Sequence, residues 1–192
     1  MPEIQLNGKT IATQTGTNEP VLKNNVVMES GFSIPSGVTF PAGHVIQVVS
    51  ATNTTQYIPS SSYANQVWNS TGTNATITPK YTSSQIFILV RQSYFWQMTG
   101  AQGVGFRIYR DTTQITSENG YSTEYQDVGA TGQSRKHGYT TLMVMDSPNT
   151  TSPVNYNVYG SWWASVPEGS QVLWQYGGWE SESRILLMEF SI

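Results

Sequence analysis

From His44 onward the chain is a succession of short apolar runs broken by Gly, Pro, Asn and Ser. His44-Val45-Ile46-Gln47-Val48-Val49-Ser50 is a β-branched run, and Ala75-Thr76-Ile77-Thr78 follows the turn-rich segment Asn69 to Asn74. Ile86-Phe87-Ile88-Leu89-Val90 is apolar at every position, which predicts a strand covered on both faces. Val104, Phe106 and Ile108 alternate with Arg107, as in a half-exposed strand. Thr141 to Met145 reads as a buried strand, and the loop Asp146 to Pro153 separates it from an alternating run with Val154, Tyr156 and Val158 inward. After a turn at Val166 to Ser170, Gln171 to Tyr176 forms another strand, and the last one, Arg184 to Phe190, puts Leu186, Met188 and Phe190 on one face. The glycine cluster Gly100-Ala101-Gln102-Gly103-Val104-Gly105 reads as a hairpin loop. No helical period intervenes, so the pattern predicts an all-β chain, an antiparallel β-sandwich of the jelly-roll kind.

The first forty residues have another texture. Ile4 with Leu6, Val21 with Leu22, and Val26 with Val27 are small apolar patches among polar residues and turn formers. The expectation is an extended N-terminal arm over residues 1–40, carrying short strands at most, and a sandwich domain over 41–192. The alternative is that this stretch supplies the first strand or two of the main domain.

Composition narrows the function. Only 11% of the 192 residues are charged, against roughly 25% in an average protein. With 38% hydrophobic and 12% aromatic residues, the chain can still fill a core, so disorder is disfavoured. A net charge of −3 with scattered Lys and Arg gives no polyanion-binding surface, and nucleic acid is not an expected partner. The absence of cysteine removes disulfides, thiolate metal sites and a cysteine nucleophile together. No signal peptide or bilayer-spanning run is evident, so synthesis in a cytoplasm and no membrane partner are expected. Sequons at Asn53, Asn69, Asn74 and Asn149 are what a Thr/Ser/Asn-rich chain produces by chance.

The chemistry-bearing residues do not form a catalytic motif. The histidines, His44 and His137, are far apart and lie in no metal-binding spacing. Glycoside hydrolysis needs only two carboxylates at a suitable separation in space, and Asp111, Glu118, Glu124 and Asp127 are the candidates. A solvated loop explains the same cluster. The expectation is therefore a chain that is not an enzyme, with no catalytic residues, metal site or cofactor. Aromatic residues concentrate around Trp96, Trp163 and Trp179, where rings suit either stacking on a glycan or an interface. Filling of a sandwich core or a subunit interface is the reading that accounts for most of these rings.

Several phrases carry a resemblance. Phe40-Pro41-Ala42-Gly43-His44-Val45-Ile46-Gln47-Val48-Val49, Ala75 to Ile86, Phe106-Arg107-Ile108-Tyr109-Arg110-Asp111, Asp146 to Tyr156, and Ile185-Leu186-Leu187-Met188-Glu189 resemble β-sandwich modules of tailed-bacteriophage virion proteins, especially those of aquatic phages. Such modules occur in capsid decoration (cement) proteins and tail fibres, and commonly form trimers. The resemblance implies a virion structural protein made in the host cytoplasm, with itself (as a homotrimer) and the major capsid protein as partners. Read as a complete chain, it leaves no room for a fibre shaft, which favours capsid decoration. Ile4, Leu6, Val21, Leu22, Val26 and Val27 would then dock the arm on the shell or a sibling subunit, since a strand can add to a sheet edge. The alternative is a short tail fibre or fibre tip, with other tail proteins and host surface glycan as partners and Trp96, Trp163 and Trp179 as contact rings. A polysaccharide depolymerase is the third class.

Overall fold

The computed structural model describes residues 3–6, 9–13, 21–22, 42–58, 67–99, 102–116, 122–126, 133–162, 171–175 and 181–192. All described secondary structure is β, and the chain divides into two units, Met1–Thr39 and Phe40–Ile192. The first holds β1 (Glu3–Leu6), β2 (Lys9–Thr13) and β3 (Val21–Leu22), an antiparallel sheet in the order β1-β2-β3.

The second unit contains β4 (Val45–Asn53), β5 (Asn69–Ile77), β6 (Gln85–Thr99), β7 (Gln102–Arg110), β8 (Thr113–Gln114), β9 (Ser122–Gln126), β10 (Gln133–Asp146), β11 (Val154–Trp162), β12 (Gln171–Trp174) and β13 (Ser183–Phe190). One sheet runs β10-β6-β13-β4, with β12 beside β6 in line with β13. The other runs β5-β11-β7-β8, with β9 beside β7 in line with β8. Counting each in-line pair as one position leaves eight positions, and the first pairs with the eighth, the second with the seventh, the third with the sixth and the fourth with the fifth. That is a long hairpin rolled into two sheets, the jelly roll expected from the strand pattern.

The core lies between the sheets. Ile86, Ile88 and Val90 of β6 and Ile185 and Leu187 of β13 meet Val104, Phe106 and Ile108 of β7 and Val154, Tyr156 and Val158 of β11. The alternation read in β7 and β11 is therefore the one the fold uses. In β13, Leu186, Met188 and Phe190 share one face, as the alternation predicts, and that face is the outer one. Ile185 and Leu187 are fully buried, whereas Leu186, Met188 and Phe190 face outward. Glu189 shares the inward parity and is buried because Ser84 Oγ (2.6 Å), the Lys80 backbone N–H (2.6 Å) and Gln47 Nε2 all donate to its carboxylate.

Three expectations are corrected. Thr141 to Met145 is not buried throughout, because only Leu142 is fully covered while Met143 and Met145 are half-exposed on the outer face. Asn69 to Asn74 is no turn but the first two-thirds of β5, with Thr71 and Thr73 pointing inward at 0% and 1% exposure. The segment Gly100 to Gly105 closes no hairpin, because β6 and β7 belong to different sheets and Gly103 and Gly105 lie within β7. Strands that follow one another closely in sequence pair only about two times in three.

Polar partners explain why threonines can sit inside. Gln175, at φ 52°, presents its amide oxygen to Ser183 Oγ (2.8 Å), Thr73 Oγ1 (3.0 Å) and Gln92 Nε2 (2.9 Å), and its amide nitrogen to the carbonyls of Thr71, Trp174 and Thr55. Thr71 Oγ1 lies 3.1 Å from Gln92 Oε1 and 3.0 Å from the Val158 carbonyl. This buried network ties both sheets together at a fixed register.

Candidate functional site

The outer faces of the two sheets have different chemistry, and each follows from strand parity. On β10-β6-β13-β4 the register aligns Val48, Met188, Phe87 and Met145 in one row across four strands. The next row is Ser50, Leu186, Leu89 and Met143. Val48, Met143 and Met145 are 55%, 51% and 48% exposed, and Phe87, Leu89, Leu186 and Met188 are half-buried. A third row, Thr52, Arg184, Arg91 and Thr141, ends the apolar block. Arg91 lies 3.7 Å over the Tyr139 ring, and Arg184 bonds Glu182 at 2.9 Å.

The outer face of β5-β11-β7-β8 is polar. Asn155 Nδ2 donates to Thr76 Oγ1 (3.0 Å) and Asn74 Oδ1 (3.3 Å), and Ser70 Oγ donates to Asn157 Oδ1 (3.0 Å). Tyr109 and Tyr159 pack with ring centroids 4.5 Å apart. Arg107 stacks 3.7 Å over Trp68 and donates to Gln114 Oε1 at 3.1 Å.

At the end of the sandwich where β7, β10 and β11 meet, Arg110 Nη1 bridges both oxygens of Asp146 at 2.9 and 3.0 Å, and the Tyr156 hydroxyl donates to it at 2.7 Å. Burial pushes the Tyr156 phenol above its ordinary range, and the hydrogen bond to Asp146 and that carboxylate's charge push it further. Asp111, at φ 51°, exchanges bonds with the Asn155 backbone and closes the β7–β8 turn onto β11. Asp146 and Glu189 thus hold the fold together through several donors each. Among the described residues no group of three His, Cys, Asp or Glu side chains could hold a metal ion, and no helix is long and apolar enough to cross a membrane.

The residues singled out in the sequence are dispersed. Ile4 and Leu6 lie in β1, and Val21 and Leu22 make up β3, in the first unit. Val26 and Val27 lie outside the described residues, as do Trp163, Trp179, Glu118 and Asp127. Glu124 lies in β9, paired with Val104. Trp96 is 1% exposed within the core cluster, so its ring offers no open face for a glycan or a partner. An inward parity on β6, opposite to that of Phe87 and Leu89, puts it there. The apolar outer face escaped the reading, although its signal was present: consecutive apolar residues in β6, β10 and β13 mark strands with two apolar faces.

No family model matches the chain, and no curated protein matches it. Among solved structures it has a weak likeness, at a TM-score of 0.23 and 14% identity, to a chain of the T13 IBDV viral particle. The match covers 91% of this chain and 42% of that one, so the chain spans less than half of its length.

Proposed function

We propose that this chain is a non-enzymatic structural protein of a phage virion, a homotrimer that decorates and stabilises the capsid. The observation that carries the reading is the apolar outer face of β10-β6-β13-β4. Strands that are apolar on both sides normally lie between two layers, and here one layer is the second sheet of the same domain. The other has to come from outside the sandwich, which is the economy of an assembly part. The sequence phrases that resemble phage virion modules supply the context, and the short strands β1 to β3 are of a kind that can extend a neighbour's sheet. A cement protein of this sort opposes the pressure of packaged DNA by repeating a modest contact around each trimer.

The second reading is a short tail fibre or fibre tip that binds host surface glycan. The polar face favours it, since the Tyr109–Tyr159 pair stands among Asn157, Gln114 and Ser70, which are side chains suited to sugar hydroxyls. Antibody labelling of purified virions separates the two. The cement reading expects dense label over the whole head. Label confined to the tail selects the fibre, and no label on virions removes both.

A further inference from the structure

We infer that the apolar face of β10-β6-β13-β4 is covered by a second copy of this chain, so that the protein's subunit interface is made by the sandwich itself and not by its N-terminal arm alone. The inference deepens the reading of an assembling virion protein and rests on it.

Size argues for it first. At ~4.8 Å between strands and ~3.4 Å per residue, four strands of eight residues make a face of roughly 500 Å², about half of it taken by the two apolar rows. A stable interface takes about 800 Å² of accessible surface from each partner, so the two apolar rows can supply its centre and the polar rows beside them part of its rim. Composition argues next. Met143, Met145 and Met188, half of the chain's 6 methionines, lie in the two apolar rows. Methionine side chains adapt to a facing surface without a fixed shape. The charged residues are at the margin and are chiefly arginines, Arg91 and Arg184, an arrangement of apolar centre and polar rim found in permanent subunit contacts.

An obligate contact between copies is more apolar than a transient one between different proteins, and homo-oligomers are the commonest assemblies. The arginine row adds direction. Copies that brought their Arg91 side chains together would oppose like charges, whereas Arg184 is compensated by Glu182.

The test is sedimentation of the full chain across the micromolar range, for the native protein and Met143→Glu, with circular dichroism and melting recorded for both. We expect the native chain above monomer mass, and for Met143→Glu an unchanged fold with a dissociation constant raised roughly tenfold or more. A native chain that stays monomeric, or an oligomer that the variant leaves intact, overturns the inference. Should Met143→Glu fail to fold, the absence of native cysteine offers a second route. Met145→Cys should then cross-link between copies with a short bis-maleimide, whereas Thr76→Cys on the polar face should not; equal yields from both overturn it. A monomer that binds phage heads through Met143 would assign the face to the shell protein. Monomeric protein on labelled virions removes only the self-contact, and an oligomer absent from virions removes only the virion reading.

Discussion

The two sheets of the jelly roll share one core yet turn different surfaces outward. On β10-β6-β13-β4 two outward rows are made of Val, Met, Phe and Leu with one Ser, while on β5-β11-β7-β8 the outward positions include Asn, Thr, Ser, Tyr and Gln that bond one another. Inside, the first sheet sets Tyr94, Trp96 and Trp174 beside its aliphatic residues, and both sheets supply the buried network, Gln92 and Ser183 from the first and Thr71 and Thr73 from the second. The difference teaches that burial within the domain set the inner faces, whereas the outer faces answer to separate demands: water on one side and, on the reading proposed above, an apolar neighbour on the other.

The largest effect expected tests the sheet with two apolar faces at neighbouring positions. Ile88→Ala, on the core side of β6, should lower unfolding free energy by about 2–5 kcal/mol, and Leu89→Ala, on the outer side, by less than about 1.5 kcal/mol in the dissociated chain. Equal losses by chemical denaturation would mean that Leu89 is covered within the monomer. Next comes Gly160→Val in β11, where even a Cβ would lie 2.5 Å from the Trp174 ring. Overpacking there should cost about 1–3 kcal/mol, and a variant that melts like the native chain would show that the sheets can separate locally. Tyr156→Phe removes a hydroxyl bonded to a carboxylate and should cost about 1–3 kcal/mol.

Exchanging the character of the faces should leave stability within about 0.5 kcal/mol while altering association. Met143→Ser should weaken binding of an apolar dye or of other copies, and Asn157→Leu should strengthen it. An identical response from both faces would dissolve the contrast. The smallest effect concerns His137, beside Tyr139 on β10. Burial lowers its pKa below the ordinary 6.5, so the unfolded chain takes up the proton first. Its contribution to stability is present above about pH 6.5 and is lost as pH falls from there through the folded value. His137→Gln should therefore flatten the native protein's decline in urea midpoint over that window.

The class of fold was legible because period-two alternation and turn residues are local signals. Val104, Phe106 and Ile108, and likewise Val154, Tyr156 and Val158, declared their face without help. Thr71 and Thr73 did not, since their burial depends on Gln92 and Gln175, distant in sequence and supplied only by the rolled topology. Leu186 and Met188 share a face as the alternation shows, but nothing local tells whether that face is the inner one. Both sides of β13 are apolar, and only the buried bonds of Glu189 reveal which side meets the other sheet. The outward rows were visible as residues but not as a surface, because four strands from four separate parts of the chain compose it. Of the aromatic candidates, Trp96 illustrates that a ring's type does not report its parity.

The rolled pairing also governs the order of events during synthesis. Val49 lies opposite Leu187, and the same β13 is the bridge between β4 and β6. A nascent chain that has already emitted β6, apolar on both sides, cannot close its sheet until β13 leaves the ribosome. Long-range closure of this kind is slow and leaves sticky segments open in the interval. In any cell that makes the chain, protection of β6 in that interval should then bear on the folding yield.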